Sequence, residues 1–240
     1  MIVAALQTDV AWQDPQANFD RVERLAEGAA ALGARLLALP EMFATGFTMD
    51  ADRAAAHCQE TAAFLSSLAR RHGAWVLGGL AQAGPSQPHN SCLVYTPDGG
   101  EAGRYHKLHP FSPAGEDQHY AAGEALLHVQ ADELRVTPLI CYDLRFPEPF
   151  RIAASQTDLF VVIASWPATR ASAWKCLLEA RAIENQAYVL GVNRIGEGDG
   201  VLYAGDSALH DPLGRVLARS GEATAVVVGP VDAELVARSR

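Results

Sequence analysis

Short apolar runs alternate with longer segments of helical spacing along this chain of 240 residues, and that alternation constrains the fold most strongly. Runs rich in β-branched residues, among them IVAALQ, ARLLALPE, LRVTPLICYD and DLFVVIAS, predict buried strands. Segments such as DPQANFDRVERLAEGAAALG and CQETAAFLSSLARRHG space their apolar residues three or four apart and stop at Gly33 and Gly73, which predicts helices. Because no long Gly/Ser/Pro-rich linker interrupts the pattern, we expect one α/β domain over residues 1–240.

The second half of the chain continues the pattern. LRFPEPFRIAASQ predicts a short helix, and TRASAWKCLLEARAIENQ predicts a longer one whose apolar side holds Trp174, Leu177, Leu178 and Ile183. Strands and hairpins are predicted in AYVLGVNR, YAGDSALHDP, GRVLARS and ATAVVVGPV. The glycine-rich EGDG between the first two fits no nucleotide-binding loop and predicts a turn.

Net charge, apolar run length and cysteine spacing indicate which partners and which compartment to expect. The net charge is -9 and no Lys/Arg-rich run occurs, which argues against nucleic acid or an anionic membrane as partner. The longest apolar runs are too short to span a bilayer, and the first residues, MIVAALQTDVAW, lack the pattern of a signal peptide. The four cysteines lie far apart with no CxxC pair, so we expect reduced thiols in a cytoplasmic protein.

Four predicted strands end on polar or reactive residues. Sites in α/β folds gather at the carboxyl ends of strands, so four such endings predict a shared mouth. The four residues are Glu41 after LLALP, Cys141 after VTPLI, Ser165 after VVIA and Asn193 after VLGV.

Cys141 can be interpreted either as a packed core thiol or as a nucleophile. Asp143, Arg145 and Pro147 follow it closely, so the chain must leave the strand in a turn that can lift the thiol out of the core. A nucleophilic cysteine needs a base and a donor for the developing oxyanion. Glu41 and Lys107 are candidates, because the first follows a hydrophobic strand and the second lies among aromatic and apolar residues.

Three stretches, LPEMFATGF, YHKLHPFSPAGE and ICYDLRFPE, occur in this order and resemble the three signature blocks of the nitrilase superfamily, the thiol carbon-nitrogen hydrolases. The resemblance continues through SWP, WKCLLEARAIENQAYVLGVNR and GDSALHDPLGRVL and covers nearly the whole chain. PEMFATGF and HPFSPAGE look most like the ω-amidase branch. One departure is Ser165 in SWP, since many relatives have Asn there, and this leaves the exact substrate open.

The resemblance implies a four-layer αββα sandwich, usually paired into dimers across a helical face, so we expect a homodimer or a higher homo-oligomer. It also implies a Glu-Lys-Cys triad of Glu41, Lys107 and Cys141, with Glu116 as a second glutamate near the site. In the expected chemistry Glu41 takes the thiol proton, and Lys107 and the backbone N–H of Tyr142 stabilise the oxyanion. A thioester forms, ammonia leaves and water releases the acid. We expect neither a metal nor another cofactor.

The ω-amidase-like blocks predict a short primary amide with a carboxylate, such as 2-oxoglutaramate, as substrate. Either of two arginines can clamp that carboxylate with parallel hydrogen bonds, and nearby aromatic residues supply apolar walls. The substrate-binding candidates are Arg145, Arg170, Ser165, Phe43, Phe111, Trp166 and Tyr142. A nitrilase, a hydrolase of carbamoyl or peptide-derived amides, and a catalytically silent binding protein on the same fold remain as alternatives.

The sequence patterns for a serine nucleophile, a zinc site or a Cys-His pair are weaker than the pattern for the Glu-Lys-Cys triad. GDSALHD resembles the block of GDSL-type serine hydrolases, but that block belongs near a chain start, so Ser207 is not expected to act as a nucleophile. His106 and His109 lack a third ligand for zinc, and structural or substrate-lining roles are expected for them. A papain-like pairing of Cys141 with either histidine stays possible on chemistry alone.

Overall fold

The computed structural model describes residues 1–240, which form fourteen strands and seven α-helices. The strands are β1 Ile2–Gln7, β2 Leu36–Ala38, β3 Trp75–Gln82, β4 His89–Tyr95, β5 Glu101–His106, β6 Val129–Ala131, β7 Leu134–Ile140, β8 Leu159–Ala164, β9 Tyr188–Asn193, β10 Ile195–Gly198, β11 Val201–Ala204, β12 Ala208–His210, β13 Val216–Arg219 and β14 Ala225–Pro230. The helices are α1 Pro15–Ala31, α2 Ala51–Ala56, α3 Cys58–His72, α4 Glu116–His119, α5 Pro147–Ala153, α6 Ala171–Asn185 and α7 Ala233–Ser239.

Twelve of the strands form two six-stranded sheets of similar plan. The first has the order β14-β1-β2-β3-β4-β5 and the second has the order β13-β12-β9-β8-β7-β6. In each sheet three successive strands run parallel, β1-β2-β3 in the first and β7-β8-β9 in the second, and the flanking strands pair antiparallel. Helices connect the parallel strands, because a parallel pair needs a crossover of a dozen residues or more. The remaining strands, β10 and β11, form a separate hairpin.

The two sheets pack face to face between two layers of helices. Successive residues of a strand point to opposite faces. Leu6 of β1 packs with Val22 of α1 and Leu65 of α3, whereas Val3 of the same strand lies in the core that also holds Leu139 of β7. On the outer side of the second sheet, α6 packs against β9. The predicted four-layer αββα sandwich is therefore confirmed.

Most predicted elements form, with differences at helix faces and ends. α3 ends at Gly73, whose φ of 56° is left-handed, as predicted. Ile183 was wrongly assigned to the buried side of α6. Trp174 and Leu178 lie on the buried stripe, but Ile183 falls outside its 3.6-residue period and is half exposed. Helix α7 was not predicted from the sequence. None of the seven α-helices combines the length and the apolar composition that a membrane span requires.

Candidate active site

The ends of four strands meet at one place between the sheets, as the sequence predicted. Glu41 lies just beyond β2, and its Oε2 accepts a hydrogen bond of 2.8 Å from the backbone N–H of Ser165, just beyond β8. Asn193, at the end of β9, holds the same segment, because its Oδ1 accepts from the backbone N–H of Trp166 at 2.8 Å. Cys141 follows β7 directly. Each sheet thus contributes to the site through its parallel strands.

A buried ion cluster lies behind Cys141. The ammonium of Lys107 donates to Oε1 of Glu41 at 2.9 Å and to Oε2 of Glu116 at 2.8 Å. Oε2 of Glu116 also accepts from the backbone N–H of Phe111 at 2.5 Å. The side chains of Glu41 and Glu116 are fully buried and that of Lys107 is 1% exposed, so these charges are shielded from water. Such charges are stable inside a protein only when paired and hydrogen-bonded.

Asn90 in β4 belongs to the same cluster, although it is not among the residues predicted from the sequence. Its Nδ2 donates to Oε1 of Glu41 at 2.7 Å and to Oε1 of Glu116 at 2.8 Å. The only sequence signal was an amide at the start of an otherwise apolar strand, NSCLVY. Its partners lie 49 and 26 residues away along the chain, a relation that spacing does not show.

The backbone is strained at the nucleophile candidate and next to the base candidate. Cys141 has φ of 45°, and Met42, which follows Glu41, also has φ of 45°. Left-handed φ at a non-glycine residue costs about 1–3 kcal/mol and persists where surrounding contacts hold it. Gly79 of β3 allows one of those contacts, since a Cβ there would lie 2.6 Å from Cα of Glu41. The surrounding contacts therefore hold Cys141 and Met42 in fixed, left-handed backbone conformations.

Asp143 fixes the turn that carries Cys141. Its Oδ2 accepts from the hydroxyl of Tyr105 at 2.7 Å and from the backbone N–H of Ile140 at 3.0 Å. Its Oδ1 accepts from the backbone N–H of His109 at 3.0 Å and lies 2.8 Å from Nδ1 of the same residue. This buried carboxylate joins the segment after β7 to the segment that carries Lys107. From the sequence alone, Asp143 indicates only a turn.

Burial and neighbouring charges determine the protonation states of the Cys141 thiol and the Lys107 amine. Burial raises the pKa of the Cys141 thiol well above its ordinary value, and the charge of Glu41 raises it further, while the Lys107 ammonium offsets part of the effect. Burial alone lowers the pKa of Lys107, but the charges of Glu116 and Glu41 outweigh it and hold that pKa above its ordinary value. At neutral pH the site therefore holds a neutral thiol beside an ammonium.

A cavity of about 550 Å³ opens onto Cys141. It is large enough for a small organic molecule. Six of the seven predicted substrate-binding residues line it, together with residues from the loops after β2 and β5 and from the β10–β11 hairpin. The lining comprises Phe47, Phe111, Pro113, Ala114, Cys141, Tyr142, Arg145, Ser165, Trp166, Pro167, Thr169, Arg170, Gly200, Val201, Leu202 and Tyr203. Glu41, Lys107 and Glu116 lie buried behind this surface rather than on it.

Two guanidinium groups stand on the cavity wall. Arg145 lies over the Trp166 ring, with 5.2 Å from Cζ to the ring centroid, and Arg170 lies over the Phe111 ring at 4.7 Å. Such cation–π contacts hold a guanidinium in place without neutralising its charge. Neither arginine forms a salt bridge, although other arginines of the chain do. Both groups are thus free to bind an anion in the cavity.

Two of the predicted substrate-binding residues differ from expectation. The prediction for Phe43 is wrong, and Ser165 is hydrogen-bonded to Glu41. Phe43 is fully buried and does not line the cavity. It packs against Phe19 and Phe64, with ring centroids 6.1 and 6.0 Å away, because it points to the helical side of the first sheet. Ser165 does line the cavity, but its N–H binds Glu41 and its hydroxyl donates to the Glu41 carbonyl at 3.3 Å.

Residues 2–240 match the sequence profile of the carbon-nitrogen hydrolases. The chain belongs to the carbon-nitrogen hydrolase family. It is 38% identical to omega-amidase YafV of Escherichia coli over 234 residues, which cover 97% of this chain and 89% of the relative. It is 32% identical to the 2-oxoglutaramate amidase of Bacillus subtilis over 96% of this chain and 90% of the relative.

Solved structures of this carbon-nitrogen hydrolase's relatives share its fold. A CN-hydrolase superfamily protein of Xanthomonas campestris, with an arsenic adduct in its active site, superposes with a TM-score of 0.93 at 36% identity, over 99% of this chain and 92% of that one. A mutant of the amidase from Nesterenkonia sp. in complex with butyramide gives a TM-score of 0.91 at 27% identity, over 99% and 93% of the two chains. The predicted family, fold and class of enzyme are confirmed.

The alternative nucleophile and base candidates of this carbon-nitrogen hydrolase have structural partners away from the cavity. The hydroxyl of Ser207 is buried and donates to Oε1 of Gln7 at 2.7 Å. Nδ1 of His106 lies 2.8 Å from the Ser91 hydroxyl, and His109 is bonded to Asp143 and stacked on a ring, so neither histidine lines the cavity with Cys141. A papain-like pairing is therefore wrong for this site.

Proposed function

We propose that the protein is an ω-amidase-like amidohydrolase that releases ammonia from a short primary amide bearing a carboxylate at its far end. The compound 2-oxoglutaramate represents this substrate class. The observation that carries the proposal is the presence of two guanidinium groups without acidic partners on the wall of the cavity that opens onto Cys141. Relatives named omega-amidase and 2-oxoglutaramate amidase support it.

In the proposed mechanism Cys141 is the nucleophile and Glu41 the general base. The thiol carries its proton in the resting enzyme, because burial raises its pKa. As sulfur attacks the amide carbon, the thiol proton passes to the Glu41 carboxylate and the carbonyl π pair moves onto oxygen. Transfer to a positioned base avoids the cost of forming a free thiolate in a buried site.

Lys107 and the backbone N–H of Tyr142 are proposed to bind the oxyanion of the tetrahedral intermediate. Pre-positioned donors of this kind contribute roughly 10²–10³-fold each to turnover. The intermediate collapses, the C–N bond breaks, and Glu41 returns the proton to the leaving nitrogen, which departs as ammonia. A thioester on Cys141 remains. Water then adds to its carbonyl carbon with Glu41 taking a proton, the C–S bond breaks, and the acid and the thiol are regenerated.

Glu116 is proposed to position Lys107. Its carboxylate binds the ammonium at 2.8 Å and the Phe111 N–H at 2.5 Å, which ties the lysine to the loop lining the cavity. Because Lys107 is also bonded to Glu41 at 2.9 Å, its direction is fixed before substrate binds. A fixed donor loses no free energy to reorganisation during the reaction.

The proposed role of Arg145 or Arg170 is to hold the carboxylate of the substrate. A guanidinium binds a carboxylate through two parallel hydrogen bonds, and this fixes the distance from the anchor to the scissile carbon. Trp166 and Phe111 hold the two groups by cation–π contact and also supply apolar walls. A cavity of about 550 Å³ has room for four- and five-carbon acids, and we propose that its aromatic walls disfavour bulky peptides.

The experiment measures ammonia release from 2-oxoglutaramate, glutaramate, succinamate, neutral butyramide, a nitrile and a carbamoyl amino acid. We expect the carboxylate-bearing amides to have the highest kcat/KM. We expect Arg145→Met or Arg170→Met to lower kcat/KM for these amides by roughly 10–10³-fold, while leaving butyramide within about threefold, because only the charged substrates lose a charge-assisted bond. A preference of the wild type for butyramide or the nitrile would contradict the proposed substrate class.

We further propose that the protein acts in the cytoplasm as one domain that forms a homodimer, with no nucleic acid or membrane partner. All four cysteines are unpaired, as expected for a reducing compartment. Large apolar side chains are exposed near α5 and α6, where Ile152 is 69% and Ile183 50% exposed. A second copy of the chain would cover this face.

A further inference from the structure

The two glutamates of the buried cluster are bridged twice, once by Lys107 and once by Asn90. Lys107 lies between Oε1 of Glu41 and Oε2 of Glu116, as a charged bridge. Asn90 lies between Oε1 of Glu41 and Oε1 of Glu116 at 2.7 and 2.8 Å, as a neutral bridge made by a single nitrogen. The mechanism proposed above assigns no task to this second bridge.

The orientation of the Asn90 amide is set by the two carboxylates. A carboxylate oxygen only accepts hydrogen bonds, so the NH₂ group must face both glutamates. The Oδ1 atom then points away, is buried, and has no hydrogen-bond partner. Leaving a buried carbonyl oxygen unpaired costs roughly 1–3 kcal/mol. The Asn90 side chain therefore lies where its nitrogen bonds both carboxylates, although its oxygen is left without a partner. This unfavourable placement of the oxygen points to a function for the nitrogen.

The main chain aligns the two bridging residues before any side-chain contact forms. Asn90 lies in β4, and the backbone N–H of Lys107, just beyond β5, donates to the Asn90 carbonyl at 2.9 Å. The two side chains therefore start from adjacent strands of one sheet. Groups carried by paired strands are held more rigidly than groups on loops.

The charges of the cluster explain why a second donor is needed. Two carboxylates beside one ammonium leave a surplus negative charge in a buried place, and like charges there repel strongly. A neutral N–H donor shared by both carboxylates offsets this repulsion without adding a counter-charge that would compete with Lys107. Glu41 also accepts from the Ser165 N–H, so its carboxylate is held by three donors on two sides.

We propose that Asn90 is a positioning residue that holds Glu41 and Glu116 at a fixed separation around Lys107, so that Glu41 is aimed at the Cys141 thiol. The inference rests on the proposed function of that site and adds a residue to it. Asn90 lies outside the cavity lining, so it acts through Glu41 and not by touching the substrate. Loss of the bridge should therefore impair the chemical steps and leave substrate binding nearly intact.

Two variants test the bridge. Asn90→Leu keeps much of the volume and removes the donor, and Asn90→Ser keeps one shorter donor that can reach one carboxylate at most. We expect kcat to fall on the order of 10²-fold in Asn90→Leu and less in Asn90→Ser, with KM within about threefold, as for other groups that orient a catalytic residue. Ser91→Ala is the matched control, because Ser91 is next in the strand and binds His106 on the opposite face.

Iodoacetamide labelling of Cys141 provides a readout that needs no substrate. We expect labelling at neutral pH to slow by roughly tenfold or more in Asn90→Leu, because Glu41 no longer meets the thiol in the right position. Unchanged labelling in a folded Asn90→Leu protein would overturn the bridge, as would equal losses of kcat in Ser91→Ala and Asn90→Leu. A wild type that labels normally but releases no ammonia from any amide would instead overturn the proposed function.

Discussion

The contacts of Glu41 suit the role of general base proposed for it. Three donors hold it, from Asn90, Lys107 and Ser165, and all three come from parts of the chain that are distant in sequence. The thiol of Cys141 has a raised pKa because of burial first and then the charge of Glu41. Both effects keep the proton on sulfur in the resting state, and in the proposed mechanism the proton therefore passes to Glu41 during the attack.

The pH dependence of Cys141 labelling should report this coupling. The ionised form of the thiol is disfavoured up to a pH above its ordinary pKa of 9.0. In the wild type, labelling by iodoacetamide should be nearly independent of pH between about 7 and 9, because Glu41 accepts the proton. In Glu41→Gln it should be slower at pH 7 and rise about tenfold per pH unit through pH 9, because only the free thiolate reacts.

Peptide mass spectrometry can follow Cys141 separately from the exposed Cys176. Glu148→Gln is the matched control, since Glu148 is an exposed glutamate at the start of α5 and should leave the wild-type profile unchanged. A flat profile in Glu41→Gln would show that another group takes the proton.

Site residues were predictable where an apolar strand ends or, for Lys107 and Glu116, where a stretch resembles a known signature block. Glu41, Cys141 and Ser165 each follow an apolar strand, so their positions at strand ends were visible from the sequence. Asn90 and Asp143 were not, because their importance comes from partners on other strands and not from their neighbours in sequence. Phe43 was misassigned because a residue two positions past Glu41 can turn to either face of the sheet, and sequence spacing does not decide which.

Among the elements, the β10–β11 hairpin shows the limit of turn prediction. The EGDG segment does form a turn, between Gly198 and Val201. Nothing in the sequence indicates that Gly200 in this turn, and Leu202 and Tyr203 after it, line the cavity beside Cys141. Arg194 contacts both strands of the hairpin. Its Nη2 donates to the Glu197 carbonyl at 3.0 Å, and its Cζ lies 4.4 Å from the centroid of the Tyr203 ring. These contacts depend on tertiary packing.

The outer face of α5 and α6 is the surface at which we propose that two copies of the chain associate. Arg151 of α5 donates to the Glu184 carbonyl of α6 at 2.7 Å, which fixes the two helices side by side. The turn after Leu213 lies close to Ile183, since a Cβ at Gly214 would be 2.5 Å from Ile183 Cγ1. Ile152, Ile183 and Leu213 are each at least half exposed in the isolated chain.

The proposed homodimer can be tested by light scattering coupled to size-exclusion chromatography. At micromolar concentration the wild type should have about twice the monomer mass of 25.6 kDa. Ile183→Arg should reduce this to the monomer mass, because an unpaired charge would be buried in the interface. Leu32→Arg is the control, since Leu32 is 62% exposed at the end of α1 on another face. A wild type that elutes only as monomer would contradict the dimer.

At the scale of the whole molecule, the site exists because two similar sheets face each other. Each has three parallel strands in its centre, so the carboxyl ends of β2, β7, β8 and β9 can converge. The alternation of strands and helices predicted the elements, and the resemblance to known signature blocks predicted the four layers. The shape of the cavity was beyond both, because it depends on side chains from five separate segments.

The central claim is that Cys141 carries amide hydrolysis, and ammonia release from 2-oxoglutaramate tests it most directly. Wild type, Cys141→Ala and Cys176→Ala are compared at equal concentration, with circular dichroism to verify that each is folded. We predict that Cys141→Ala loses turnover on the order of 10⁴-fold or more, as expected for a covalent nucleophile, while Cys176→Ala matches the wild type. Retention of more than about a tenth of wild-type turnover in folded Cys141→Ala would contradict the mechanism.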